Sequence, residues 1–265
     1  MKYVFRGLVP MVAAVFFTVA TFAVSPRTIS AMAQNDDAGK DNQILADVTN
    51  KALNKSQFKD VKAAVHDGIV TLTGTVKVYD QKVDLDKRLH RIKNVKALEN
   101  EVEVAGPEIS DNVLQNKLVK AIEYDRVGYG TTAFNAIGVN VQNGAVTLSG
   151  HAYGPVDADS AIAVASNTPG VKDVVNEIQV DPVSPMDDQI RLAVFRSVYG
   201  FPSLNKYAID PGKPIRISVQ NGNVTLYGMV DNQADKDAAG IRANTVPGVF
   251  HVTNNLAVAG KEEKQ

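Results

Sequence analysis

The feature that most constrains this chain is a ten-residue phrase that occurs three times. It spans residues 65–74, 141–150 and 219–228, and each copy fits the pattern Val-x-Asp/Asn-Gly-x-Val-Thr-Leu-x-Gly. The turn glycines are residues 68, 144 and 222, so successive copies are 76 and 78 residues apart. That spacing is too long for a solenoid repeat and fits small domains arranged in tandem.

Each phrase predicts a tight β-hairpin, because alternating apolar residues flank an Asp-Gly or Asn-Gly turn that tolerates positive φ. Apolar residues at helical spacing lie before and after each hairpin, and a third apolar strand closes each copy. The second helix is long enough to return a strand parallel to the second one. We therefore predict an α+β chain of three tandem αββαβ units. Each unit is a three-stranded mixed sheet covered on one face by two helices, and the neighbour of its third strand stays open.

The units, called units 1, 2 and 3 below, are expected at residues 41–104, 110–180 and 185–258. In unit 1, Asp41 is expected to cap the first helix. The last glycine of each phrase, at positions 74, 150 and 228, is expected to allow a bend or a close approach of backbone, not to bind a ligand.

The N-terminus has the pattern of a secretory signal peptide. Lys2 and Arg6 precede an uncharged stretch over residues 8–24, and small residues at positions 31 and 33 predict cleavage after about Ala33. An uncleaved membrane anchor is the alternative, since the apolar stretch is at the lower limit of spanning length. We expect residues 1–33 to be the signal peptide of an exported, periplasmic protein. A flexible polar leader is expected over residues 34–40 and a charged tail over residues 259–265.

Composition excludes several classes of function. The segment 1–33 carries three basic residues, so without it 25 basic residues face 29 acidic ones, a net charge of −4. Because nucleic-acid binding needs a basic excess, we expect no nucleic-acid partner. The chain has no cysteine, which excludes disulfides, a thiol nucleophile and a lipid-modified cysteine.

The repeated phrase carries a resemblance to a known family. It is paired with later stretches at 167–176 and 246–255 that contain Pro-Gly-Val followed by a short apolar strand ending in Asn. Together they resemble the BON domain, named for bacterial osmotically inducible and nodulation proteins. The resemblance implies an αββαβ fold in envelope proteins, with binding of phospholipid or membrane surfaces in osmotic stress or outer-membrane maintenance. Some members act as periplasmic chaperones, and the family has no catalytic motif.

This chain departs from the better-known two-domain members of the family by its third unit and by the missing lipoprotein cysteine. The missing cysteine argues against permanent anchoring to the outer membrane. The four histidines occupy non-equivalent positions in the units, and no nucleophile, Walker or dinucleotide motif is present. We expect a non-enzymatic protein without a metal, a cofactor or a small-molecule substrate.

Two stretches exceed the minimal unit and are the candidates for function. They cover residues 124–134 in unit 2 and 199–216 in unit 3, between the first helix and the first strand. Aromatic rings beside lysine and arginine on loops rich in Gly and Pro suit a membrane interface, although the same aromatics also suit packing between units. The candidate binding residues are Tyr124, Tyr129, Phe134, Tyr199, Phe201, Lys206, Tyr207, Lys213 and Arg216.

The leading hypothesis is peripheral binding of anionic phospholipid by an exported protein that maintains the envelope in osmotic stress. The alternative is a periplasmic chaperone or interaction module that binds unfolded or membrane-protein clients. Lipid binding is expected to need anionic headgroups and to weaken with salt, whereas client binding is expected to be mainly apolar.

Overall fold

The computed structural model describes residues 33–182 and 184–260, with side chains from residue 38 onward. Each unit has the predicted order α-β-β-α-β. Unit 1 contains α1 (Ala33–Asp47), β1 (Val61–His66), β2 (Ile69–Val76), α2 (Tyr79–Leu89), β3 (Ala97–Asn100) and β4 (Glu103–Val104). Unit 2 contains α3 (Asp111–Asp125), β5 (Ala136–Gln142), β6 (Ala145–Ala152), α4 (Pro155–Ser166) and β7 (Asp173–Val180). Unit 3 contains α5 (Pro185–Tyr199), β8 (Arg216–Gln220), β9 (Asn223–Tyr227), β10 (Met229–Val230), α6 (Gln233–Asn244), β11 (His251–Asn254) and β12 (Ala257–Val258).

The hairpin strands pair antiparallel and the returning strand pairs parallel, as predicted. The structure settles the open point: in every unit the second strand is central and the third strand lies beside it. In unit 2, all eight residues of β6 pair with β7, whereas in units 1 and 3 the returning strand is split into β3 and β4, and into β11 and β12. The α+β fold class is confirmed.

An aspartate of the first helix holds each hairpin turn. The turn residues have positive φ, for example 51° at Asp67 and 79° at Gly68, and their two amides point the same way. One carboxylate in each unit accepts both amide hydrogen bonds, at distances of 2.7–3.0 Å. These carboxylates are Asp41, Asp111 and Asp187. The repeated phrase is therefore tied to the helix that precedes it.

The start of α1 corrects two expectations. The helix begins at Ala33, so residues 34–40 are helical and do not form the expected flexible leader. Asp41 does not cap the helix, because it lies in the interior of α1. Its carboxylate instead accepts hydrogen bonds from the turn amides of residues 67 and 68. No proline interrupts this stretch. The predicted signal peptide and residues 261–265 of the charged tail lie outside the described residues, apart from Ala33 itself.

The last glycine of the phrase has the structural role that was predicted for it. Gly150 has a φ of 93°, and a Cβ there would collide with the carbonyl oxygen of Ala136 on the neighbouring strand. The equivalent glycines at 74 and 228 have the same conformation and face Asp60 and Pro214 in the same way.

Three separate apolar cores lie between the sheets and their helices. The core of unit 3 includes Phe134, which belongs to unit 2, so units 2 and 3 share buried surface. Unit 1 reaches unit 2 mainly through Tyr79, which packs against the core of unit 2 and hydrogen-bonds Asp173. Burial, followed by the bond to Asp173, raises the pKa of the Tyr79 phenol.

Candidate interaction surface

The two long connections expected from the sequence lie at corresponding places in units 2 and 3. In unit 2 the connection runs from the end of α3 at Asp125 to β5, and in unit 3 it runs from the end of α5 at Tyr199 to β8. We call them the unit 2 loop (126–135) and the unit 3 loop (200–215). In unit 1 the helix continues from α1 as a π-helical turn over Val48–Ala52, so the corresponding connection covers only residues 53–60, and it buries Phe58.

A buried carboxylate holds the unit 2 loop in place. Asp157, the third residue of α4, is 4% exposed and accepts hydrogen bonds from Arg126 Nε at 3.1 Å, Thr131 Oγ1 at 2.8 Å and Asn135 Nδ2 at 3.0 Å. Buried carboxylates need such partners, since an unpaired charge in the interior is costly. The loop is therefore fixed at both ends and in its middle by one side chain.

The unit 3 loop is held by the equivalent residue. Asp235, the third residue of α6, accepts hydrogen bonds from Tyr207 Oη at 2.7 Å and Lys206 Nζ at 2.8 Å. Burial alone raises the pKa of the Asp235 carboxyl, but these bonds outweigh burial and the pKa is lowered. In unit 1, which has no long loop, the same position is Gln81, and its side chain only accepts the amide of Lys77.

Lys206 is exposed but paired. Its ammonium lies 2.7 Å from Asp231 Oδ2 as well as 2.8 Å from Asp235, and these two bonds raise the pKa of Lys206. A lysine held between two carboxylates presents little net charge to an anionic headgroup. Lys206 is thus a loop anchor in this structure.

Most of the loop aromatics pack inward, in line with the alternative that they pack between units and do not face a membrane. Phe134, Tyr199 and Tyr207 are buried in the core of unit 3, and Phe201 packs half-buried against it. The ring of Phe134 meets that of Phe195 at 5.9 Å, across the junction between units 2 and 3. Burial raises the pKa of the Tyr199 phenol, which donates a hydrogen bond to the carbonyl of Ile215 at 2.7 Å.

Arg216 also belongs to the junction and not to an open surface. Its guanidinium donates to the carbonyls of Thr132 at 3.0 Å and Asn135 at 2.8 Å, and to Glu123 at 3.3 Å. Burial lowers the pKa of Arg216 and raises that of Glu123, and in each case the partner's opposite charge offsets part of the shift. The expected headgroup ligand is therefore an interior bridge between the units.

A second polar cluster, centred on Asp181, also joins units 2 and 3. Asp181, which is 1% exposed and follows β7, accepts hydrogen bonds from Ser218 Oγ at 2.9 and 3.0 Å and from Gln220 Nε2 at 3.0 Å. Arg191 lies 3.6 Å from its other oxygen, and His151 Nδ1 lies 3.1 Å away. Three of these four partners come from unit 3, so this carboxylate attaches the end of unit 2 to unit 3.

Four apolar side chains on and beside the two loops remain exposed to solvent. Tyr124, Val127, Tyr129 and Ile209 are 45%, 46%, 67% and 78% exposed. Tyr124 Oη, from the last turn of α3, donates to Asp210 Oδ1 at 3.0 Å and so joins α3 to the unit 3 loop, and this bond raises the pKa of Tyr124. We call these four residues the loop rim.

A cleft of about 360 Å³ lies beneath the loop rim, between the two loops. Gly128 and Gly130, which flank Tyr129, line it on one side, and Ala208 and Asp210, which flank Ile209, line it on the other. The rim residues of both units are therefore neighbours. We call this space the loop cleft, and its apolar walls are Val127, Ala133, Phe195, Tyr199, Pro211 and Pro214.

Two cations accompany the rim. Lys213 is exposed in the unit 3 loop, where its charge helps to lower the pKa of Asp210 after the larger effects of the Gly212 amide and the Tyr124 hydroxyl. The guanidinium of Arg126 stacks on the ring of Tyr129, 3.9 Å from its centroid. Of the nine residues predicted from sequence, the structure places Tyr124, Tyr129 and Lys213 at this surface.

The comparisons with known proteins agree with the architecture. A family model described as the BON domain matches residues 40–106, 110–182 and 203–260, which is most of the chain. The chain belongs to the BON domain family. The osmotically-inducible protein Y of Escherichia coli strain K12 is 30% identical over 131 residues, which are 45% of this chain and 60% of that protein.

Another relative, an uncharacterised protein in the gshII 5′ region of Anaplasma centrale, is 23% identical over 142 residues, 53% of this chain and 94% of that protein. Among solved structures, CdsD, a structural protein of the type III secretion system of Chlamydia trachomatis, is 16% identical. That match covers 84% of this chain and 93% of the other, with a TM-score of 0.23, too low to carry an argument.

Within these BON units, sequence reasoning missed the residues that shape the surface. The anchors Asp157 and Asp235 and the junction residue Asp181 were not singled out, and neither were Val127 and Ile209. Aligning the units by their turn glycines would have revealed the two anchors, since Asp follows 13 residues after Gly144 and Gly222, whereas Gln81 stands there in unit 1. The two aliphatic residues carry no comparable pattern.

Across residues 33–182 and 184–260, no helix is long and apolar enough to cross a membrane. The same described residues contain no group of three or more His, Cys, Asp or Glu side chains arranged to hold a metal ion.

Proposed function

We propose that this BON protein is a non-enzymatic protein of the bacterial envelope that serves in osmotic stress and binds anionic membranes peripherally through the loop rim. The family and the similarity to an osmotically-inducible protein support the envelope setting. The predicted signal peptide supports a periplasmic location. The surface itself supports the membrane partner.

The observation that carries the proposal is the composition of the loop rim. Two tyrosines and two aliphatic side chains stand exposed on the last turn of α3 and on the two loops, although four other aromatics of the same loops and of α5 are packed inward. Tyrosine favours the headgroup level of a bilayer, because its ring is apolar and its hydroxyl is wet. Removing the apolar rim from water stabilises the bound state by about 1.5–3 kcal/mol for each large side chain fully buried.

Charge adds a smaller contribution. Lys213 is exposed beside the rim, whereas Lys206 and Arg216 are engaged with carboxylates. A single lysine near an anionic leaflet contributes about 1 kcal/mol, and salt screens that contribution. Binding is therefore expected to prefer anionic vesicles by a modest factor and to keep an apolar component at high salt.

Co-sedimentation of the purified protein with anionic and neutral vesicles tests this function. The double variant Tyr129→Ser, Ile209→Ser is expected to weaken binding by at least about tenfold, because it removes the two most exposed rim side chains. Ile241→Ser is the matched control, since Ile241 is 64% exposed on α6 and lies outside both loops. Equal binding by the double variant and the control would reject the rim as a membrane contact.

A protein client is the competing occupant of the same rim. If vesicles do not bind the protein at any salt concentration, while the rim variant loses the ability to suppress aggregation of an unfolded protein, the rim serves a chaperone and the membrane proposal is wrong.

A further inference from the structure

We propose that the loop cleft takes up one acyl chain of an anionic lipid. The inference rests on the proposed membrane function and extends it from surface contact to a chain-binding site. The cleft of about 360 Å³ opens under the rim and lies between units 2 and 3, so both units form it. Its volume falls in the range of small-molecule pockets.

The walls of the cleft are suited to an occupant without polar groups. Val127, Phe195, Pro211 and Pro214 contribute aliphatic and aromatic surface from both loops and from α5. Burial of a chain against such surface is driven by removal of apolar area from water.

The polar side chains that line the cleft are already paired. The hydroxyl of Tyr199 donates to Ile215, and that of Thr132 donates to the carbonyl of Arg126 at 3.4 Å. The carboxylate of Asp210 accepts from Tyr124 and from the amide of Gly212 at 2.9 Å. An entering peptide segment would lose water from its own amides without gaining these side chains as partners, whereas an alkyl chain has no such cost. The pairing therefore favours an acyl chain over a peptide.

The mouth of the cleft suits the charged end of the same lipid. Pro211 and Pro214, which line the cleft, flank the exposed Lys213, so a chain held inside leaves its phosphate near the ammonium. On the unit 2 side, Tyr129 stands between Gly128 and Gly130 of the lining, and Tyr124, in the last turn of α3, is bonded to Asp210 of the lining. The acyl chain of an anionic lipid would thus lie in the apolar cleft while its phosphate lies beside Lys213.

Titration with lysophosphatidylglycerols of increasing chain length, each below its critical micelle concentration, tests the inference on the full-length protein. Affinity is expected to rise about fourfold for each added methylene until the cleft is filled. Glycerophosphoglycerol, which has the headgroup and no chain, is expected not to bind. Lysophosphatidylcholine of the same chain length is expected to bind about fivefold more weakly, because it lacks the net negative charge that Lys213 attracts.

A filling variant locates the site. Ala208→Leu places a larger side chain in the cleft at an exposed position, so the fold is retained, and it is expected to weaken lysolipid binding about fivefold or more. Ala163→Leu, on the exposed face of α4, is the matched control and is expected to bind as the parent does.

The outcomes separate this inference from the proposed function. Vesicle binding that depends on the rim, together with lysolipid affinities that ignore chain length or Ala208→Leu, would overturn the chain-binding site and leave peripheral membrane binding intact. Loss of vesicle binding in the rim variant together with chain-length dependence that Ala208→Leu abolishes would support both.

Discussion

The junction between units 1 and 2 differs from the junction between units 2 and 3 in what is buried there. The first junction rests on Tyr79 and its bond to Asp173. The second buries the charged residues Asp181 and Arg191, engages the partly buried Arg216, and contains the aromatic contact between Phe134 and Phe195. Units of the same fold are thus joined through one tyrosine between units 1 and 2, and through buried polar and aromatic contacts between units 2 and 3.

The repeats show which residues make the difference. The residue that follows the last strand and donates its amide to the central strand is Ala105 in unit 1, Asp181 in unit 2 and Ala259 in unit 3. Only the unit 2 position carries a charge, and there it meets Ser218 and Gln220 of unit 3. This position in the repeat therefore gives the junction between units 2 and 3 a buried charge that the junction between units 1 and 2 lacks.

The largest effect is expected from breaking the junction between units 2 and 3 at Asp181. Asp181→Ala removes the acceptor of Ser218 and Gln220 and leaves Arg191 with Asp188 as its remaining carboxylate partner, which is expected to lower the free energy of unfolding by about 2–3 kcal/mol. Urea unfolding measures it. Ala105→Ser, at the equivalent position of unit 1, is the control and is expected to change stability little. A change below about 1 kcal/mol for Asp181→Ala would mean that the polar cluster does not fuse the units.

Tyr199 and Tyr79 allow the two junctions to be compared by the pH dependence of the free energy of unfolding. Burial raises the pKa of Tyr199 above its unfolded value of 10.0, so the folded state keeps the proton that the unfolded state loses. The stabilisation is complete below pH 10 and is lost as pH rises, at about 1.4 kcal/mol per pH unit once the unfolded phenol ionises.

Tyr199→Phe is expected to flatten this alkaline loss of stability in urea unfolding between neutral pH and about pH 11. At neutral pH the same variant is expected to cost about 1 kcal/mol, because the carbonyl of Ile215 loses its hydrogen bond. Tyr79→Phe, at the junction between units 1 and 2, serves as the comparison and is expected to flatten the curve less, because Tyr79 is less deeply buried than Tyr199. Parallel curves for Tyr199→Phe and the parent would contradict the buried phenol.

The most local effect is expected at the loop anchor. Asp157→Asn keeps the size of the side chain but weakens its bonds to Arg126 and Thr131, so the unit 2 loop is expected to open more often at a cost of about 1–2 kcal/mol. Limited trypsin digestion reports this as faster cleavage after Arg126. Asp159→Asn, an exposed neighbour on α4, is the control. Equal cleavage rates in the two variants would show that Asp157 does not hold the loop.

The fold was predictable because its determinants are local and repeated. The Asp-Gly and Asn-Gly turns, the alternating strands and the helical spacing each occur three times, so every unit supports the assignment of the others. The position of the third strand depends on pairing between distant residues, such as Val146 with Val174, which no local pattern determines.

The candidate surface was located but only partly resolved from sequence. Comparing the units identified the two loops, since unit 1 lacks them. The sequence of a loop does not say which rings turn inward, because that depends on where Asp157 and Asp235 fix the backbone and on the neighbouring unit that receives Phe134. Ile209 could not be singled out, because no spacing or motif tells an exposed aliphatic residue of this loop from a buried one such as Leu204.

Entry of the loop rim into the membrane interface is tested most directly by a fluorescence measurement. The chain contains no tryptophan, so Tyr129→Trp introduces a unique probe at the rim, and Ile241→Trp introduces the same probe at an exposed position of α6. On addition of anionic vesicles, we expect the emission at position 129 to shift to shorter wavelength and the emission at position 241 to stay unchanged. Binding without any shift at position 129, or with equal shifts at both positions, would contradict the account.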